Sequence, residues 1–159
     1  MTARIGERAP DFDLAGADGV TGEHGRYRLS DGFGRPQVLV FYPADETPVC
    51  TEQLITYTKG IAELDQVGAR VLALSPQSVE SHVSFAEHHG GFAFPLLSDP
   101  DRAVGRAYGI LGLLELYRRS IVVVDGEGII RYLHRAIGPG MSFVPLDAIV
   151  GQVLRATPS

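Results

Sequence analysis

Cys50 is the single cysteine among 159 residues, and it stands in Pro43-Ala44-Asp45-Glu46-Thr47-Pro48-Val49-Cys50-Thr51. The thiolate, not the thiol, is the nucleophile, and a free cysteine of pKa ~8.5 holds only a small fraction of it at neutral pH. A helix N-terminus and a nearby cation both raise that fraction. The spacing supplies the first. Thr47 then Pro48 reads as an N-cap followed by proline at the first helical position, which puts Cys50 inside the first turn. Pro43 ends the preceding apolar run, has no N–H, and carries a ring that could shield the sulfur from water. The Thr47 hydroxyl could bond a thiolate or a bound oxygen atom. The competing reading makes Cys50 a small buried apolar residue and nothing more.

The cation must come from elsewhere, because Asp45 and Glu46 work against a thiolate. Arg118 and Arg119 are the candidates, since they enter an apolar strand where charge should be scarce. Adjacent strand residues face opposite ways, so only one of the two can face the thiol, the other being a solvated edge arginine.

Hydrophobic patterning supplies the elements that must hold these groups. Val38 to Tyr42 is apolar on both faces and reads as a buried strand. Leu54, Thr58, Ile61 and Leu64 continue a helix from Thr47, which Gly68 ends. Arg70 to Ser75 is the next strand, Val79 to His89 a helix stopped by Gly90-Gly91, and Phe94 to Leu97 a short apolar segment. Ser98-Asp99-Pro100 starts a helix running to about Tyr108. Ser120 to Asp125 and Ile129 to Leu133 form a hairpin across Gly126-Glu127-Gly128. Pro145 to Leu154 is an amphipathic helix, and Gly138-Pro139-Gly140 a loop. Near the N-terminus, Ala17-Asp18-Gly19 is a turn between two short strands. Strands alternating with helices, then a hairpin and a helix, imply an α/β protein with a mixed central β-sheet and helices on both faces. The βαβ and ββα halves match a thioredoxin-like fold. The length suggests that residues 1–159 form one domain.

Composition narrows the function. The formal net charge of −5 disfavours nucleic acid or an anionic membrane as partner. No apolar run reaches the roughly 20 residues of a membrane span. A lone cysteine cannot form an internal disulfide, and the start of the chain has no signal-like apolar segment, so a cytoplasmic protein is expected. His88-His89 is a weak metal candidate, because adjacent helical residues diverge by about 100°, and no metal or other cofactor is expected. No phosphate loop or dinucleotide fingerprint is present. Leu111, Leu113, Leu114 and Leu116 either pack in the core or form an exposed rim for a subunit or a reductant.

Phe41 to Thr51 resembles the active-site signature of the peroxiredoxins, most closely the bacterioferritin-comigratory, or Q-type, branch. Ala9-Pro10-Asp11-Phe12-Asp13-Leu14 is similar to that family's opening strand, and Phe94-Pro95-Leu96-Leu97-Ser98-Asp99 to its central marker. Arg119 stands six residues before Asp125, as the family's active-site arginine does. The resemblance implies reduction of hydrogen peroxide or organic hydroperoxides through a sulfenic acid on Cys50. Thr47 and Arg119 would hold the peroxide oxygens, Pro43 would shield the thiol, and Gln53 takes the place of a Glu or Gln bonded to the arginine. Two departures matter. Val49 replaces a frequent glycine, which bears on peroxide access. Ile55 stands where many relatives carry a resolving cysteine. An external thiol must then recycle the enzyme: thioredoxin, glutaredoxin or a low-molecular-weight thiol. The chain would be a monomer or homodimer. The alternative is a non-catalytic redox sensor that passes oxidation to a partner protein.

Overall fold

The computed structural model describes residues 2–136 and 142–157, so the loop expected at Gly138-Pro139-Gly140 lies outside the described residues. The chain runs β1 (Asp13–Ala17), β2 (His24–Arg28), β3 (Gln37–Phe41), α1 (Pro48–Lys59), α2 (Ile61–Gln66), β4 (Arg70–Ser75) and α3 (Val79–His88). It continues through β5 (Leu96–Ser98), α4 (Ala103–Ala107), β6 (Ser120–Val124), β7 (Ile130–Arg135) and α5 (Leu146–Ala156). The strands make one mixed sheet in the order β2-β1-β5-β4-β3-β6-β7. β3 lies at its heart, parallel to β4 and antiparallel to β6.

β3 is buried on both faces, and its alternating side chains divide the interior. Val38 and Val40 point into a core shared with α1, α2, α3 and α5, through Cys50, Leu54, Tyr57, Leu64, Phe85, Ile149 and Val153. Leu39 and Phe41 point into a second core, built from α4, Tyr108, Tyr117 and the N-terminal residues Ala3, Ala9 and Phe12. Helices therefore cover both faces, as expected, but unequally. Leu54 is fully buried and anchors α1 to the sheet. Cutting such a leucine back to alanine typically costs about 2–5 kcal/mol.

Three boundaries differ from the sequence pattern. The helix after Cys50 breaks at Gly60 into α1 and α2. A Cβ on Gly60 would meet Leu146 Cδ2, so a larger residue there would have to displace that leucine of α5. The helix expected from Ser98 begins only at Ala103. Asp99 turns its carboxylate back to accept from the Val104 and Gly105 amides at 3.2 and 2.9 Å, and Arg102 adopts a left-handed conformation. The intervening residues thus form a capping loop, not a first turn. α5 begins after Pro145, which serves as its N-cap, and extends two residues beyond Leu154. The turn after β1 is held by Asp18, whose Oδ1 accepts from the Val20 and Thr21 amides, both at 2.8 Å.

Candidate active site

β3 delivers the chain to Tyr42 and Pro43, and a short loop leads into α1. Thr47 is the N-cap by its extended backbone, Pro48 follows at the first position, and Cys50 falls in the first turn, 1% exposed. The thiol is thus fixed at the positive end of a twelve-residue helix. The Thr47 side chain does not cap that helix. Its hydroxyl donates to the Ala44 carbonyl at 2.9 Å. With its proton so used, the Thr47 oxygen faces its surroundings as an acceptor.

Arg119 is buried, and its guanidinium spans the site. Nη2 lies 3.3 Å from Cys50 Sγ and Nη1 donates to Gln53 Oε1 at 2.5 Å. Gln53 is held in that orientation from its other end. Its amide nitrogen donates to the Tyr57 hydroxyl at 3.2 Å, and that hydroxyl donates to the Val144 carbonyl at 2.6 Å. Burial pushes the Tyr57 hydroxyl up to about 12, which keeps it a donor. About one turn of helix separates Cys50 from Gln53 and Gln53 from Tyr57, so a single face of α1 carries the whole line. Among the described residues no carboxylate forms an ion pair with Arg119, and its Nε has no hydrogen-bond partner. A buried cation is costly unless an anion meets it. The Cys50 sulfur is the group beside it that can become one. Arg118 points the other way and donates to the Gly109 carbonyl at 3.0 Å, away from the thiol.

The acidic residues before the cysteine are disarmed by contacts that the sequence does not reveal. The Asp45 side chain is 2% exposed and bonds His82 Nδ1 at 2.7 Å. It also accepts from the Tyr42 hydroxyl at 2.6 Å and the Ser81 hydroxyl at 2.8 Å. The other ring nitrogen of His82 faces the Leu97 carbonyl at 2.9 Å. Gln77 completes the clamp, accepting from the Asp45 amide at 3.0 Å and from the Ser75 hydroxyl at 2.8 Å. The loop that presents Thr47 and Cys50 is thereby tied to β4 and α3. One signal was available: His82 falls three residues from both Val79 and Phe85, on the apolar face of its helix, where a polar side chain needs a partner.

Glu46 is turned outward to His88 and His89. Its carboxyl is held below the usual range by hydrogen bonds, from His88 first and then His89. The two histidines do not diverge as two helical neighbours would. His89 lies beyond the end of α3 as its C-cap, and both rings reach the same carboxylate. Among the described residues no three His, Cys, Asp or Glu side chains gather as a metal site would require.

Residues 5–133 match the AhpC/TSA family. The chain is 37% identical over 130 residues to a Mycobacterium tuberculosis protein that carries a peroxiredoxin name, covering 77% of this chain and 79% of the relative. It is 33% identical over 135 residues to peroxiredoxin Bcp of Bacillus subtilis, covering 80% of this chain and 82% of the relative. Among solved structures, AhpC of Enterococcus faecalis superposes with a TM-score of 0.87 at 24% identity, over 98% of this chain and 92% of that one. That likeness bears on the fold, which is thioredoxin-like. With its one cysteine in the signature position, the chain belongs to the AhpC/TSA family, as a peroxiredoxin of the Bcp, or Q-type, kind.

Proposed function

We propose that the chain is a thiol-dependent peroxidase that reduces hydrogen peroxide and organic hydroperoxides at Cys50 and is recycled by an external thiol. The observation that carries this reading is the buried Arg119, which has no carboxylate partner among the described residues and lies 3.3 Å from the sulfur at a helix N-terminus. The Cys50 thiolate attacks the terminal peroxide oxygen. An S–O bond forms, the O–O bond breaks, and the departing alkoxide or hydroxide takes a proton to leave as alcohol or water. Arg119 stabilises the charge that develops on the leaving oxygen. Thr47, with its own proton on Ala44, accepts from the peroxide O–H and orients it. Gln53 fixes the plane of the guanidinium, and Pro43 limits access of water.

The product is a sulfenic acid with no second thiol in the chain to meet it. An external thiolate attacks the sulfur, water leaves, and a mixed disulfide forms. A second thiol releases Cys50 and carries away the disulfide. A small thiol, thioredoxin or glutaredoxin would serve. We read the chain as one domain and as a monomer or homodimer. A thiol that must be re-reduced at each turnover suits a reducing compartment such as the cytoplasm. No described helix is long and apolar enough to cross a membrane.

Peroxide consumption under excess reductant tests this reading. Sustained turnover with dithiothreitol or thioredoxin is expected. Consumption of one equivalent and then none, with small thiols, thioredoxin and glutaredoxin all tried, would instead assign the chain to redox sensing.

A further inference from the structure

His82 is fully buried, and each of its ring nitrogens faces an acceptor. Nδ1 lies 2.7 Å from Asp45 Oδ2, and Nε2 lies 2.9 Å from the Leu97 carbonyl oxygen. A carbonyl oxygen only accepts, so Nε2 carries a proton. A second proton lies between Nδ1 and Oδ2, since two lone pairs would otherwise face each other across that gap. The other groups around the carboxylate decide which atom holds it. The Tyr42 hydroxyl donates to Oδ1 at 2.6 Å and the Ser81 hydroxyl to Oδ2 at 2.8 Å. Burial, and then the Asp45 charge, push the Tyr42 hydroxyl well above its ordinary value, which keeps it a donor. A carboxylate that accepts several hydrogen bonds favours its ionised form. Among the described residues Asp45 forms no ion pair with Lys or Arg, so a buried charge there is matched only by His82.

Resting on the peroxidase reading, we propose that His82 is a positioning residue for Thr47 and acts as an imidazolium, with both ring nitrogens protonated. The contacts that join the two residues are few. One peptide unit carries both the Ala44 carbonyl and the Asp45 amide. Its N–H donates to Gln77 Oε1 at 3.0 Å, and its carbonyl takes the Thr47 proton at 2.9 Å. The side chain that leaves this peptide, that of Asp45, is the one His82 holds. If the plane turns, Ala44 releases the Thr47 hydroxyl, and the Thr47 oxygen no longer faces the site as an acceptor. The next residue shows that the loop is held under constraint. Glu46 adopts a positive φ of 62°, which persists only where the surroundings fix it. His82 touches neither the thiol nor the peroxide in this scheme. It sets the orientation of the hydroxyl that does.

Nitrogen NMR of the reduced protein, with labelled histidine at neutral pH and without peroxide, tests the charge separately from the chemistry. Both His82 ring nitrogens should resonate in the protonated range. In Asp45→Asn the Nδ1 signal should move to the unprotonated range, because a neutral amide leaves nothing to hold the second proton. An unprotonated nitrogen in the parent, or a ring that stays doubly protonated in Asp45→Asn, would overturn the proposal. Stopped-flow oxidation of Cys50 by hydrogen peroxide tests the positioning. His82→Leu should slow it about tenfold, the loss expected for one hydrogen bond to a charged group. His82→Asn, whose amide nitrogen stands where Nδ1 did, should recover part of that loss. In Thr47→Val, which has no hydroxyl to hold, His82→Leu should add less than about twofold. Equal losses in the two His82 variants, or the same loss with and without the Thr47 hydroxyl, would make His82 a packing residue and overturn its role. A parent that consumes no peroxide would count against the peroxidase reading instead, and the ring signals would still decide the charge of His82.

Discussion

Arg118 and Arg119 are neighbours in sequence with opposite surroundings. Arg119 faces the helix side of the sheet, where Gln53, Tyr57 and the Val144 carbonyl form a closed line of donors and acceptors ending at the thiol. Arg118 faces an open cavity, where a single backbone carbonyl meets its side chain; the Nε is unmatched in both arginines. The closed line explains how a buried cation can be held still, and a still cation can stabilise charge without reorganising as the charge appears. The open side turns its arginine away from the thiol towards the Gly109 carbonyl, so it has little to give the bond-breaking step. What a residue can do here depends less on its type than on how many of its hydrogen bonds the fold has already fixed.

The first way to break this contrast is kinetic. Arg119→Ala should slow the reaction with hydrogen peroxide on the order of 10²–10³-fold, the usual loss for one donor to a developing oxyanion. Arg118→Ala should slow it far less. Stopped-flow rate constants that rank the two the other way would show that the wrong arginine has been placed at the thiol.

A second test moves from the arginines to the loop. Asp45 is buried in a network, whereas Glu46 is exposed and meets two histidines at the surface. His82→Leu removes one partner of the buried carboxylate and should lower stability by about 2 kcal/mol. Glu46→Gln breaks only surface pairs and should cost under about 1 kcal/mol. Urea unfolding curves compare the two, and equal losses would mean that the buried clamp does not set the loop.

A smaller effect is expected at the far end of the closed line. Tyr57→Phe removes the hydroxyl that orients Gln53 and should cost about 1 kcal/mol at neutral pH. Its sign with pH is distinctive. The folded Tyr57 hydroxyl is held up at about 12, above its ordinary value of 10.0. A raised folded value means that the contribution is complete below about pH 10 and is lost as pH rises towards 12. The parent protein should therefore lose its advantage over Tyr57→Phe across that window. A gap that stays constant in unfolding curves taken from pH 8 to 12 would contradict the burial of this hydroxyl.

Much of this was legible in the sequence for local reasons. The five apolar side chains from Val38 to Tyr42 announce a strand buried on both faces, and β3 runs one residue earlier, from Gln37 to Phe41. Thr47-Pro48 fixes the start of α1, and the turn it begins places Cys50, Gln53 and Tyr57 on one face without any tertiary information. The choice between Arg118 and Arg119 needed the family resemblance, since alternation says only that they differ. What stayed hidden depends on contacts between distant residues. The helix breaks at Gly60, beside Leu146 of α5, and that neighbour is not visible in the local sequence. The Asp99 carboxylate meets the first amides of α4, and Arg102 stands before its start in a left-handed conformation. Asp45 reads as an acid that opposes a thiolate until His82, 37 residues away, is seen to meet it. The leucine-rich stretch from Leu111 to Leu116 left core and rim equally open. Leu111 packs against the second core, and only the strained turn shows that Leu113, Leu114 and Leu116 face outward.

On the proposed mechanism Cys50 takes the peroxide oxygen and finds no second thiol within the chain. Non-reducing intact mass spectrometry after one equivalent of hydrogen peroxide tests it directly, on the parent protein and on Cys50→Ser. A monomer heavier by one oxygen is expected for the parent, a second oxygen as peroxide rises, and no early change in Cys50→Ser. Added small thiol should appear as a mixed disulfide on the parent alone. An unmodified parent, the same oxygen on Cys50→Ser, or a disulfide-linked dimer as the main product would contradict it.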